Sequence, residues 1–110
     1  MTRTPLTQPM IDEMSALFLA LADGSRLKIL RALLETGKPL SQGALAAATG
    51  LSQANASKHL ARLVQVGLVL KEAEGNTVFY RPVMPLVEEL CDRVCSHVTK
   101  RVKAAYQALR

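Results

Sequence analysis

Helical periodicity along most of the chain, two short helices meeting around Gly50, and one β-hairpin ahead of a long terminal helix predict a mostly α fold. That order of elements is a winged helix-turn-helix with a two-stranded β-hairpin wing. The 110 residues suffice for one domain, and nearly half of them are hydrophobic, enough for one modest core. With Phe18, Phe79, Tyr80 and Tyr106 as the complete aromatic set, aliphatic packing between helices must supply most of that core.

Residues 1–9 read as a flexible arm and residues 10–110 as a single domain. Ile11, Met14, Leu17, Phe18 and Leu21 recur at helical spacing and describe a first amphipathic helix that stops at Asp23-Gly24. Asp23 or Ser25 can cap the second helix. Its buried side is expected from Leu27, Ile29, Leu30, Leu33 and Leu34, its wet side from Arg26, Lys28 and Arg31, and its end at Gly37 and Pro39. A slim, alanine-rich third helix runs from its cap Ser41 to Gly50.

Ser52 caps a fourth helix over about 52–66, with Ala56, Leu60, Leu63 and Val64 inward and Gly67 at its end. From Leu68 the pattern turns to β character. Two runs rich in β-branched and aromatic residues flank Gly75-Asn76 and predict a hairpin over about 68–82. A last helix over about 84–109 carries Val87, Leu90, Cys91, Val94, Cys95, Val98, Val102, Ala105, Tyr106 and Leu109 as one apolar stripe. A stripe of that length calls for a partner, and a second copy of the chain is the expected one.

The net charge is +5, and its distribution says more than its sum. Residues 1–24 carry a net −2, whereas residues 25–62 set six basic groups against Glu35 alone, for a net +5. Double-stranded DNA is the partner that such a stretch suits when it lies on a helix-turn-helix. In that layout the second helix of the pair enters the major groove. Gln53 and Asn55 each offer a donor and an acceptor, the pair that reads adenine; Ser52, Ser57 and His59 suit bases or phosphates, and Lys58 and Arg62 suit phosphates. The wing tip, with Asn76 and Thr77, is placed to reach the neighbouring groove. Arg26 is open to two roles, a phosphate contact or a pairing with Asp23.

The runs Leu21-Ala22-Asp23-Gly24-Ser25-Arg26-Leu27-Lys28-Ile29-Leu30 and Leu51-Ser52-Gln53-Ala54-Asn55-Ala56-Ser57-Lys58-His59-Leu60-Ala61-Arg62-Leu63, closing on Gly67-Leu68-Val69, resemble the ArsR/SmtB family of repressors. The resemblance covers roughly Leu17 to Pro82. It implies a homodimer held by the first and last helices that represses an operon and releases operator DNA when an effector binds. Two departures bear on the effector. The stretch Gln42 to Ala48 lacks the cysteine box of the family's metal sensors, and the last helix offers Asp92 and His97 without the paired histidines of the second family site.

Cys91 and Cys95 remain as candidates for effector or thiol sensing, through a soft metal or metalloid or through redox chemistry; their other reading is as small core residues. An intrachain disulfide is not expected, because Cβ atoms at i and i+4 on a helix stand about 5–6 Å apart. No certain cofactor is implied.

Among other classes, an enzyme is not expected: the chain has no glycine-rich phosphate loop, metal-spaced His/Glu cluster or nucleophile with a base at a recognisable spacing. A winged helix serving only as a protein-interaction module is the alternative function, and the basic groups on the fourth helix argue against it. Met1 to Pro9 is polar and proline-bearing, and Met10–Ala22 is interrupted by Asp12 and Glu13 and too short for a bilayer. A cytoplasmic protein with no membrane partner is expected.

Overall fold

A computed structural model describes residues 3–109. In chain order the elements are α1 (Gln8–Leu21), α2 (Gly24–Thr36), β1 (Leu40–Ser41), α3 (Gln42–Thr49), α4 (Gln53–Gln65), β2 (Val69–Glu74), β3 (Thr77–Pro82) and α5 (Leu86–Ala108). The core gathers Ile29, Leu30 and Leu33 of α2, Leu45 of α3, Leu60 and Leu63 of α4, Leu68 and Val69 at the root of the hairpin, and Val87 of α5. Burying these aliphatic side chains, each worth about 1.5–3 kcal/mol, is the main drive for the fold.

The sheet has three strands, in the order β1-β3-β2, where the sequence predicts two. Leu40 pairs with Tyr80 and Ser41 with Phe79, antiparallel. A two-residue strand following Pro39 is too short to show any alternation, so it leaves no periodic trace; its pairing ties the start of α3 to the base of the wing. The wing itself is the β2–β3 hairpin, in register from Val69↔Pro82 to Glu74↔Thr77. Gly75 turns it with a φ of 62°, a left-handed conformation that favours glycine.

The expected arm is shorter than residues 1–9. Thr7 caps α1 by accepting from the Met10 N–H, and Pro9 sits in the first turn, where a missing N–H costs nothing. Met1 and Thr2 lie outside the described residues. Leu27 is a second correction: it is 46 % exposed rather than part of the buried side of α2. The apolar faces of α1 and α5 are also open. Phe18 is 56 % and Val102 62 % exposed, with Met14, Val94 and Val98 similarly uncovered. Among the described residues, no helix is long and apolar enough to cross a membrane.

Candidate nucleic-acid interface

The turn between α3 and α4 is set by local chemistry. Gly50 ends α3 at a φ of 74°, its N–H and that of Leu51 both returning to the Ala46 carbonyl. Leu51 drops onto the core, and Ser52 starts α4 by accepting from the Asn55 N–H at 3.1 Å. One face of α4 is thereby buried through Ala56, Leu60 and Leu63, and the rest is turned to solvent. On it Ser52, Gln53, Asn55, Ser57 and Lys58 are exposed, with Arg62 half-buried and its guanidinium held by Gln65 Oε1 at 2.9 Å. Arg26, Lys58, Ala61, Arg62 and Gln65 line a shallow groove along this side, rich in cationic groups. Asn76 and Thr77 are exposed at the wing tip, and lower on the wing Arg81 pairs with Glu72 at 2.6 Å.

Two residues of α4 are engaged by neighbours that periodicity does not reveal. Gln42 Nε2 donates to the Gln53 backbone carbonyl at 3.1 Å and to Gln53 Oε1 at 3.3 Å, joining the first turns of α3 and α4. His59, expected among the outward residues, is half-buried, with Nδ1 3.4 Å from an Arg26 Nη. Arg26, for which a phosphate contact or a pairing with Asp23 is expected, uses its guanidinium in a third way within the chain. Its Nε donates to the Ala20 carbonyl at 2.6 Å and its other Nη to the Leu19 carbonyl at 3.4 Å, so the guanidinium caps the C-terminal end of α1. Asp23 accepts from the Arg26 N–H at 3.0 Å as the cap of α2. That hydrogen bond, helped by the positive charge of Arg26, holds the Asp23 carboxyl below the usual carboxylate range.

Cys91 and Cys95 are both free thiols. They line an open, largely apolar groove of about 530 Å³ between α1, α2 and α5, together with Phe18, Leu27, Arg31 and Val94. Cys91 is half-buried; burial and the neighbouring Asp92 charge push its thiol up, against a smaller pull from Arg31. Cys95 is exposed on the open face of α5 in the single chain. No group of three metal-ligating side chains gathers among the described residues. Any ion held here would take two sulfur donors from one chain and the rest from a second copy or a ligand.

A short positioning helix, a second helix with an exposed polar face, and a hairpin beside it define a winged helix-turn-helix protein. A helix-turn-helix domain family model matches residues 21–72. Among solved structures, the homodimeric winged helix-turn-helix DNA-binding domain Mb0332 of Mycobacterium bovis, a possible ArsR-family transcriptional regulator, is 28 % identical with a TM-score of 0.80 over 93 % of this chain and 95 % of that one. Reduced HlyU from Vibrio cholerae N16961 is 37 % identical, with a TM-score of 0.64 over 80 % of this chain and 97 % of that one. The antimony-specific transcriptional repressor AntR is 30 % identical, with a TM-score of 0.75 over 92 % and 90 %. Among curated proteins, none matches the sequence significantly. The chain belongs to the ArsR family of winged helix-turn-helix transcriptional regulators.

Proposed function

We propose that the protein is a homodimeric, sequence-specific repressor that binds operator DNA through α4 and lets go when Cys91 and Cys95 are modified or occupied. The observation that carries the reading is the exposed face from Ser52 to Arg62, rooted on a buried apolar face and flanked by the cationic groove. Ser52, Gln53, Asn55 and Ser57 meet base edges and nearby phosphates; Lys58 and Arg62 meet phosphates; Asn76 and Thr77 reach the adjacent groove from the wing. His59 acts from the edge of this set, through its contact with Arg26. Two copies pair through the open faces of α1 and α5, which sets the spacing of the two recognition helices. The release signal is oxidation of the thiols or a soft metal or metalloid ion bound to them. With chromosomal DNA as its partner, the protein acts in the cytoplasm.

The test is a fluorescence-anisotropy titration against the DNA upstream of its own gene and against a scrambled duplex, at two salt concentrations, with thiols reduced and oxidised. Tighter binding to the upstream duplex, weakened by salt and lost on oxidation, is the expected result. Binding indifferent to thiol state removes the cysteines from the mechanism. Absence of binding to either duplex refutes the DNA-binding reading and leaves a protein-interaction module.

A further inference from the structure

We propose that Gln42, at the first position of α3, determines which base edge Gln53 reads. The proposal rests on the reading above, in which α4 carries base recognition. Gln53 is the first residue of α4, where a recognition helix comes closest to the floor of the major groove. Its side chain does not stand free. Gln42 Nε2 donates to both its backbone carbonyl and its Oε1, and a Cβ placed on Gly43 would lie 3.3 Å from its Nε2. The amide of Gln53 therefore lies against the first turn of α3, an approach that the bare backbone of Gly43 leaves room for.

A side-chain amide has one acceptor and one two-hydrogen donor. In Gln53 one of the two lone pairs of Oε1 is engaged by Gln42, which turns the oxygen toward α3, while among the described residues Nε2 donates to no protein group. Reading adenine takes both ends of a glutamine, the oxygen on N6–H and the nitrogen on N7. An amide whose oxygen is turned toward Gln42 has its nitrogen left for the base, and a donor suits the acceptor edges, O6 and N7 of guanine or O4 of thymine. The geometry thus assigns Gln53 an acceptor-bearing base, guanine foremost because it shows two adjacent acceptors. Gln42 is a positioning residue that fixes this choice without touching the base.

The experiment enriches bound duplexes from a randomised library and then measures the affinities of the enriched sequences by anisotropy, for the wild type and for Q53A, Q42A and Q42E. Q53A identifies the position that Gln53 reads. There the wild type should favour guanine or thymine over adenine by about tenfold, the size of a good base contact. Q42A frees the amide to turn and should bring that ratio to within about threefold, with preferences elsewhere and the salt dependence unchanged.

Glutamate at position 42 offers only acceptors, so Q42E draws Gln53 Nε2 to itself and turns Oε1 outward. Preference at that position should then move to the donor-bearing bases, adenine and cytosine, judged as ratios because the added charge lowers all affinities. An adenine preference in the wild type, or a Q42A profile identical to it, overturns the proposal. A Q42A effect that is uniform over sequences also overturns it, since that marks a backbone or structural contact and not a choice of base. If the wild type enriches no sequence, the reading of α4 itself fails and this proposal falls with it.

Discussion

Replacing Arg26 by alanine tests whether the end of α1 is held to the recognition helix by one side chain. The Nε bond to the Ala20 carbonyl is the short one, at 2.6 Å; the contacts to the Leu19 carbonyl and to His59 Nδ1 are both 3.4 Å, at the weak end of hydrogen bonding. A hydrogen bond from a charged donor contributes about 1.5–3 kcal/mol, and the partial exposure of Arg26 places this one in the lower part of that range. Arg26→Ala should therefore cost about 2 kcal/mol in urea denaturation at fixed protein concentration, and roughly 8 °C in Tm. Arg26→Lys keeps the charge but replaces a fork with a single nitrogen, so it should recover less than half of the loss. Because the guanidinium is committed to the helix end, the slope of log affinity against log salt for DNA should stay within experimental error of the wild type. A stability change under about 0.5 kcal/mol would refute the cap, and a slope smaller by about 0.9 would reassign Arg26 to a phosphate.

Two further outcomes follow from the charges and the open faces. Asp23 is held below the usual carboxylate range in the folded chain, so its contribution to stability is complete above the unfolded value, about pH 4, and fades as pH falls through the lower folded value. Asp23→Asn keeps a capping oxygen and removes the charge, and its denaturation midpoint should lose that part of the acid dependence; an unchanged pH profile would exclude Asp23 as its source. Val98→Glu places a charge in the middle of the open α5 face, and sedimentation should show dimer weakened by about 3 kcal/mol or more, with palindromic operator binding lost in parallel. A dimer of wild-type strength would move the interface away from α5.

Much of this fold is legible in the sequence because most of its elements are long compared with their periods. Ala56, Leu60, Leu63 and Val64 mark the buried face of α4, Ser52 and Gly67 bound it to within about a residue of its ends, and the caps Asp23, Ser41 and Ser52 stand where their chemistry is required. Elements no longer than one period are invisible, and β1 at Leu40-Ser41 is the example. Pro9 is misleading for another reason: a proline reads as a break in a pattern, yet the first turn of a helix tolerates it. At the candidate interface, residue chemistry is legible and residue partnership is not. Gln53 has the chemistry of a base reader, but its engagement by Gln42, eleven residues earlier, depends on how α3 and α4 meet. Arg26 and His59 lie thirty-three positions apart, and only the packing of α2 beside α4 brings them together.

That packing makes α2 the common wall of the molecule. It touches α1, α3, α4, α5 and the wing strand β3, and its polar face carries two arginines with different attachments. Arg26, at the first turn, holds the end of α1 and meets His59 of α4. Arg31 lies five residues on, about 7.5 Å along the axis, where it pairs with Glu35 at 2.7 Å and lines the groove that holds Cys91 and Cys95. The thiol groove and the recognition helix therefore lean on opposite ends of one segment of about one and a half turns, whose buried side is locked by Ile29 and Leu30. A chemical change at the thiols that shifts α5 or α1 against α2 bears on the Arg26 contacts, because those contacts tie α1 to α4. On the proposed function, in which an effector acts at the thiols of α5, this geometry would give it a route to DNA affinity that needs no rearrangement inside α4 itself.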